Sequence, residues 1–426
     1  MEEEKGIGEG NILEQNMKLK LFISYSHQDN STENQYIEAF KRHIAPLETN
    51  GLIEVWYDRS IVAGEKFFEE IDCTLENADI ICLFISANFL NSPSCKDEKK
   101  KALELRKKKG VPVIPIILSP CGWKDDTDVS KLLALPTDGK PVSGFNDKDI
   151  AWQDVCDGLK KIIKKEQIIK QLIIKEKFNF FLHDAEMLSK AHSKKERVSL
   201  NDIYINTELE KFDSSKEYTV TINSDELIDN LFTEGKVIIA GEDQSGKTTL
   251  CKRIFCELRK RNFIPVYVSG KETIFPGKIE NIIVKSLHEQ YDNFDEKEIG
   301  SKRIVPIIDD FHHAKDKENR IEILVKYPLS IVIVDDIFGL NFKDETFISS
   351  FITFKIKELK PSIMYELVKK WVNLTDKDIK NDYTDIDKKL DLIKATLGRN
   401  IGKGLMPVYP FFILSTLVSR QFSSVG

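Results

Sequence analysis

The seven cysteines of this 426-residue chain form no C-x-x-C pair and no cysteine–histidine spacing suited to zinc. That excludes the zinc-finger classes and fits free thiols in a reducing cytoplasm. An excess of positive charge is also missing. With 63 Lys and Arg against 69 Asp and Glu the formal net charge is −6. No nucleic-acid partner is expected from that balance, and only a local basic patch stays open. The N-terminus, Met1-Glu-Glu-Glu-Lys5, is acidic and has no apolar core, so no secretory signal is read there. The longest apolar run, Val408 to Val418, is too short to span a bilayer and reads as a buried helix, so no membrane partner is expected. No internal repeat or low-complexity tract is found. What is present, 41% hydrophobic and 31% charged residues, describes a soluble globular protein with room for about three domains.

The strongest positive signal is Gly241-Glu-Asp-Gln-Ser-Gly-Lys-Thr-Thr249, which fits the phosphate-binding pattern G-x-x-x-x-G-K-[ST]. It follows the β-branched run Lys236-Val-Ile-Ile-Ala240 and precedes a helical stretch from Thr248 to Arg261, the strand–loop–helix order the motif requires. Backbone N–H groups along Gly241, Ser245, Gly246 and Thr249 are expected to surround a phosphate, with Lys247 bridging the terminal phosphates and the Thr248 hydroxyl on Mg²⁺. Further on, Arg303-Ile-Val-Pro-Ile-Ile-Asp-Asp310 is an apolar strand ending in two acids. Asp309 is the expected Mg²⁺ carboxylate and Asp310 the residue that orients an attacking water. A third run, Leu329-Ser-Ile-Val-Ile-Val-Asp-Asp336, again ends in acids, where a γ-phosphate sensor and plain loop solvation fit equally well. His312 and His313 have no spaced partner for a metal and read as surface loop histidines.

The N-terminal part alternates strands and helices in the manner of an open parallel sheet. Strands are expected over Leu19–Ser26, Ile53–Asp58, Asp79–Ser86 and Val111–Leu118, with helices near Asn34–Ala45, Glu65–Asn77 and Cys95–Lys109. Ligands of such sheets bind beyond the carboxyl ends of the strands, which points to Tyr25–Asp29, Asp58–Phe68 and Ser86–Glu98.

These stretches resemble a known family. Phe22-Ile-Ser-Tyr-Ser-His-Gln-Asp29 is similar to the first box of Toll/interleukin-1 receptor (TIR) domains, and Trp56-Tyr-Asp-Arg-Ser-Ile-Val-Ala-Gly64 to their loop after strand two. Ile85-Ser-Ala-Asn-Phe-Leu90 followed by Ser92-Pro-Ser-Cys-Lys-Asp-Glu98 resembles the third strand and the helix start of NAD-cleaving members. The resemblance implies that NAD⁺ is the substrate, that Glu98 is the catalytic carboxylate, and that Tyr25, Ser26, Asp58 and Phe67 contact the substrate. A carboxylate near the ribose would stabilise the oxocarbenium character that builds as the nicotinamide–ribose bond breaks. From the residues alone Glu98 belongs to a lysine-rich, solvated helix face; the resemblance is what makes it catalytic. The sequence departs from that family at Ser94, where many such enzymes place an aromatic residue. Phe67 and Phe68 are the alternative stacking surface or else core residues.

Residues 157–195 are rich in Lys and Glu with apolar residues at helical spacing and no proline, which reads as an extended amphipathic connector or a plain packing helix. From Val198 onward the order of strand, P-loop, acidic strand end and later helix Ser362–Val372 resembles STAND-type NTPases, signal-transducing ATPases of immune receptors. Met406-Pro-Val-Tyr-Pro410 resembles the start of the helical module that closes over nucleotide there, although a simple helix break fits too. The expected organisation is α/β throughout. It comprises an N-terminal tail (1–18), a flavodoxin-like TIR domain with a parallel sheet (19–165), a helical connector (166–197), a P-loop NTPase domain (198–358) and a helical, winged-helix-like segment (359–426). The resemblances together imply a cytoplasmic antiphage protein whose ATP- and Mg²⁺-dependent self-association switches on NAD⁺ cleavage, its trigger a phage protein or a partner chain. The alternative is a non-enzymatic TIR scaffold with an ATP switch. The long sensor repeats of that family are not found before Gly426; either they lie outside this stretch or recognition lies in another chain.

Overall fold

The computed structural model describes residues 18–30, 35–57, 67–185, 195, 197–212, 220–270, 278–335, 350–374, 386–391, 393, 395 and 407–423. Contacts divide the chain into two units, Met1–Gln171 and Leu172–Gly426. Among the described residues no helix is long and apolar enough to cross a membrane.

The first unit runs β1 (Leu19–Ser24), α1 (Tyr36–Thr49), β2 (Ile53–Trp56), α2 (Phe67–Glu76), β3 (Ile80–Ile85), α3 (Ala87–Asn91), α4 (Pro93–Lys109), β4 (Val113–Ile117) and α5 (Lys148–Gln171). Its strands form one parallel sheet in the order β2-β1-β3-β4. Alternation along β1 sorts Leu19, Leu21 and Ile23 into one core with Phe40 and Ile44 of α1 and Trp152 and Leu159 of α5. Phe22 falls into the other, with Ile71 of α2 and Ala102 of α4. Every residue of β3 is buried, because it lies between β1 and β4 with helices over both faces. Helix α4 starts cleanly. The Ser92 hydroxyl accepts from the Cys95 N–H, Pro93 takes the first helical position, and Gly110 closes the other end at φ 63°.

The second unit runs β5 (Ile173–Ile174), α6 (Glu176–His183), α7 (Leu200–Ile203), β6 (Glu208–Phe212), β7 (Val220–Asn223), α8 (Leu227–Glu234), β8 (Lys236–Ala240), α9 (Lys247–Lys260), β9 (Ile264–Val268), α10 (Ile279–Gln290), β10 (Tyr291–Asp292), β11 (Ile304–Ile308), α11 (Lys317–Val325), β12 (Ser330–Val334), β13 (Ile352–Ile356), α12 (Pro361–Val372) and α13 (Pro410–Ser423). Seven strands form one sheet in the order β7-β6-β13-β8-β12-β11-β9, parallel from β13 to β9 and extended at one edge by the antiparallel β6–β7 hairpin. The P-loop strand β8 is therefore central, and the ends of β11 and β12 open on the same side as its loop. A separate helical core joins Ile203 and Ile205 to Leu367 and Trp371 of α12 and to Ile413 and Leu417 of α13.

The connector expected over 166–197 needs correction. Residues 166–171 complete α5, a single 24-residue helix whose Trp152, Val155, Leu159 and Ile163 are buried in the first unit's core. The chain then leaves the helical path. Ile173 and Ile174 pair antiparallel with Asp292 and Tyr291, and the Arg259 guanidinium donates to the Leu172 carbonyl at 2.9 Å. Phe178 and Phe181 of α6 pack on Phe255 and Tyr267 at 5.3 and 5.1 Å. The apolar stripe that reads as one helix is broken after Gln171, with Ile173 left exposed, and the second unit begins at Leu172 rather than near Val198.

Candidate active sites

In the first unit the ends of β1 and β3 and the start of α4 surround a cavity of about 590 Å³, inside the ~300–1,000 Å³ range of ligand pockets. Glu98, one and a half turns into α4, faces it with Tyr25, Ser26 and His27 from the β1 end. Ser24, fully buried as the last residue of β1, donates its hydroxyl to Glu98 Oε2 at 2.5 Å. That bond fixes one carboxylate oxygen. Behind it Asp29, 5% exposed, accepts from the Ser86 hydroxyl at 2.5 Å and from Asn88 Nδ2 at 2.8 Å, which ties the β1 loop to the start of α3. Ser94 is exposed on the cavity rim, its hydroxyl 3.1 Å from that of Ser92, so no aromatic face stands there. The Cys95 thiol is pushed up to about 11 by burial, so it is protonated at neutral pH and no nucleophile. Of the other expected contacts, Asp58 lies outside the described residues, as does the side chain of Phe67.

In the second unit the loop between β8 and α9 leads into a cavity of about 300 Å³ lined by Ser245, Gly246, Lys247, Thr248 and Thr249. Gln244 and Gly246 adopt positive φ of 66° and 99°, and the Gly241 and Ser245 N–H groups, expected to face a phosphate, donate instead to the Val334 and Glu242 carbonyls at 3.1 and 3.2 Å. Gly241 is required by space: a Cβ there would stand 2.5 Å from Ser245 Oγ. That hydroxyl oxygen is buried and has no hydrogen-bond partner among the described residues. Ile203, Ile205, Phe411 and Leu414 provide an apolar wall opposite the loop. Pro410 opens α13 at this wall; Met406 lies outside the described residues.

Thr248 Oγ1 donates to Asp309 Oδ2 at 2.8 Å, and the Tyr267 hydroxyl donates to the same oxygen at 2.9 Å. Burial pushes the Asp309 carboxyl above the usual carboxylate range, with the neighbouring Asp310 adding to the effect. Two hard oxygen donors and a buried acid with that cost to offset fit Mg²⁺. Because the folded state raises this pKa, the protonated form stabilises the fold below the ordinary carboxylate range. That contribution fades as pH rises through the raised value. Asp309→Asn is therefore expected to raise the melting temperature at pH 7 in EDTA by ~2–4 °C while abolishing the Mg²⁺ dependence of nucleotide binding. Calorimetry showing an unchanged or lower melting temperature would contradict this.

The third acidic run does not merely solvate a loop. Asp335 Oδ1 lies 2.6 Å from Lys247 Nζ, which also donates to the Gly241 and Glu242 carbonyls at 2.8 and 3.0 Å. Asp335 Oδ2 lies 2.9 Å from His312 Nε2, so the reading of His312 as a surface histidine is corrected. Its ring is largely buried, and burial lowers its pKa. His313 is exposed, Asp310 lines the cavity beside the P-loop, and Asp336 lies outside the described residues.

The first arrangement thus sits at the strand ends of a parallel sheet, and the second on a P-loop between the central strand and a helix of a mostly parallel sheet. Residues 21–158 match the TIR domain family model. The chain is similar to an uncharacterised protein, y4lF, of Sinorhizobium fredii, 37% identical over 142 residues. That match covers 33% of this chain and 42% of that protein, so less than half of the relative's length is spanned. Among solved structures, a RuvB mutant of Thermotoga maritima is 16% identical over 46% of this chain and 70% of that one, with a TM-score of 0.29. DnaA of Aquifex aeolicus bound to AMPPCP is 17% identical over 42% and 60%, TM-score 0.28. NtrX of Brucella abortus in complex with ATP is 11% identical over 89% and 78%, TM-score 0.31.

Proposed function

We propose that the first unit hydrolyses NAD⁺ to nicotinamide and ADP-ribose, and that ATP-dependent self-association through the second unit switches this activity on. The observation that carries the catalytic half is Glu98, presented by α4 into the cavity and held by Ser24. In the reaction the C1′–N bond breaks, its electron pair leaves with nicotinamide, and water bonds to C1′ and loses a proton. The Glu98 carboxylate stabilises the cationic sugar, orients the water, takes up its proton and then releases that proton to solvent. Tyr25 and Ser26 line the substrate side of the same cavity. The switch half rests on Lys247, which would meet ATP phosphates, and on Thr248 and Asp309, which would hold Mg²⁺, the ion that would supply charge neutralisation at those phosphates. The setting is antiphage defence in the cytoplasm, the trigger a phage protein or a partner chain. NAD⁺ loss on incubation with the purified chain, with ATP and Mg²⁺, tests the reading. No loss in the assembled protein would remove it.

One observation favours a second reading, a TIR scaffold that recruits partners by contact: Ser94 offers no aromatic face to the substrate. Under that reading an assembled protein leaves NAD⁺ intact. Under the first, Ser24→Ala removes the donor that orients Glu98 and is expected to lower kcat ~10-fold with KM little changed. An unaltered kcat in steady-state assays would show that Ser24 does not hold the catalytic carboxylate.

A further inference from the structure

An acid beside the P-loop lysine works against the binding of phosphate, and Asp335 is such an acid. It follows β12, the strand next to the P-loop strand β8, and pairs with Lys247 at 2.6 Å. His312, from the turn after β11, steadies its second oxygen at 2.9 Å. Asp310 belongs to the same group, its ligand atom lying within 4.8 Å of those of His312 and Asp335. Lys247 is thus held by the Asp335 carboxylate and by two carbonyls of its own loop. Loop N–H groups cradle the α- and β-phosphates of a nucleotide while the lysine reaches the β- and γ-phosphates, so the γ-phosphate rests on the lysine without that loop support. A γ-phosphate must take Lys247 from Asp335 and then stand against the displaced carboxylate, and like charges brought together at a site cost affinity.

We propose that Asp335 is a specificity-determining residue that disfavours a nucleoside triphosphate relative to a diphosphate. This rests on the nucleotide reading of the second unit and on no assumption about NAD⁺. The consequence is a switch biased toward its diphosphate form until something moves the end of β12 and frees Lys247.

The test is calorimetric titration of the full chain, wild type and Asp335→Asn, with AMP, ADP and the β,γ-imido analogue of ATP, each with Mg²⁺. Asparagine keeps the size and the contact with His312 but removes the charge. The analogue is expected to gain ~10-fold or more in affinity, ADP less than ~3-fold, and AMP nothing. Asp335→Ala, which shares only the loss of charge, is expected to give the same order. Equal gains for all three ligands, no gain for the analogue, or a loss of analogue affinity in either variant would overturn the role of Asp335. Failure of the wild type to bind any of the three would overturn the nucleotide reading itself, a distinct result.

Discussion

Glu98→Ala is expected to lower NAD⁺ cleavage by ~100-fold or more while leaving the fold and self-association intact. Alanine is the best helix former, and position 98 is half-exposed on α4, so neither the helix nor the core beneath it loses a packing group. What disappears is the one carboxylate that Ser24 aims into the cavity. Asp97 and Asp72 also line that cavity and are present in the variant. If either acid sufficed, activity would survive. A Glu98→Ala protein that assembles normally and cleaves NAD⁺ at the wild-type rate would therefore assign the chemistry elsewhere.

Lys247→Ala is expected to weaken ATP binding by ~100-fold, because the side chain supplies the cation that meets the terminal phosphates. Its effect on NAD⁺ cleavage is expected to be as large. The first unit has its own core and sheet, so the lost activity would come through failed assembly rather than through a damaged catalytic site. Fusing the TIR unit of this variant to an unrelated oligomer should then restore cleavage, and the same fusion should not rescue Glu98→Ala. Titration with ATP and an NAD⁺ assay on the fusions check both halves. Unchanged ATP affinity would reject the P-loop assignment, and a fusion that stays silent would reject the coupling.

Legibility in the sequence followed locality. The P-loop was readable because its chemistry lies in nine consecutive residues, and the structure places Gly241–Gly246 between a buried strand and a helix that begins at Lys247, as the pattern requires. Helix α4 was read over Cys95–Lys109 and the structure begins it two residues earlier, at Pro93 behind the Ser92 cap. The partners of those residues were not readable. Ser24 reaches Glu98 across 74 positions and Asp29 reaches Ser86 across 57, distances closed only by β1 lying beside β3. Lys247 meets Asp335 because β12 lies beside β8, and Asp335 meets His312 because β11 is next in the sheet. Strand order, not composition, made His312 part of the site. The connector misled for the opposite reason. Its apolar spacing fitted one helix, yet Ile173 and Ile174 found an antiparallel strand partner in Asp292 and Tyr291, a long-range pairing that local periodicity does not show. The β6–β7 hairpin was missed because Glu208-Leu-Glu-Lys-Phe212 is mostly polar, as suits the edge of a sheet.

The most direct measurement follows NAD⁺ consumption and particle mass together as purified full chain is diluted or assembled with ATP and Mg²⁺. Cleavage is expected to rise with the assembled fraction and to be nearly absent in the monomer. Dilute monomer cleaving NAD⁺ as fast as the assembly, or an assembly that leaves NAD⁺ untouched, would contradict a nucleotide-gated NAD⁺ hydrolase.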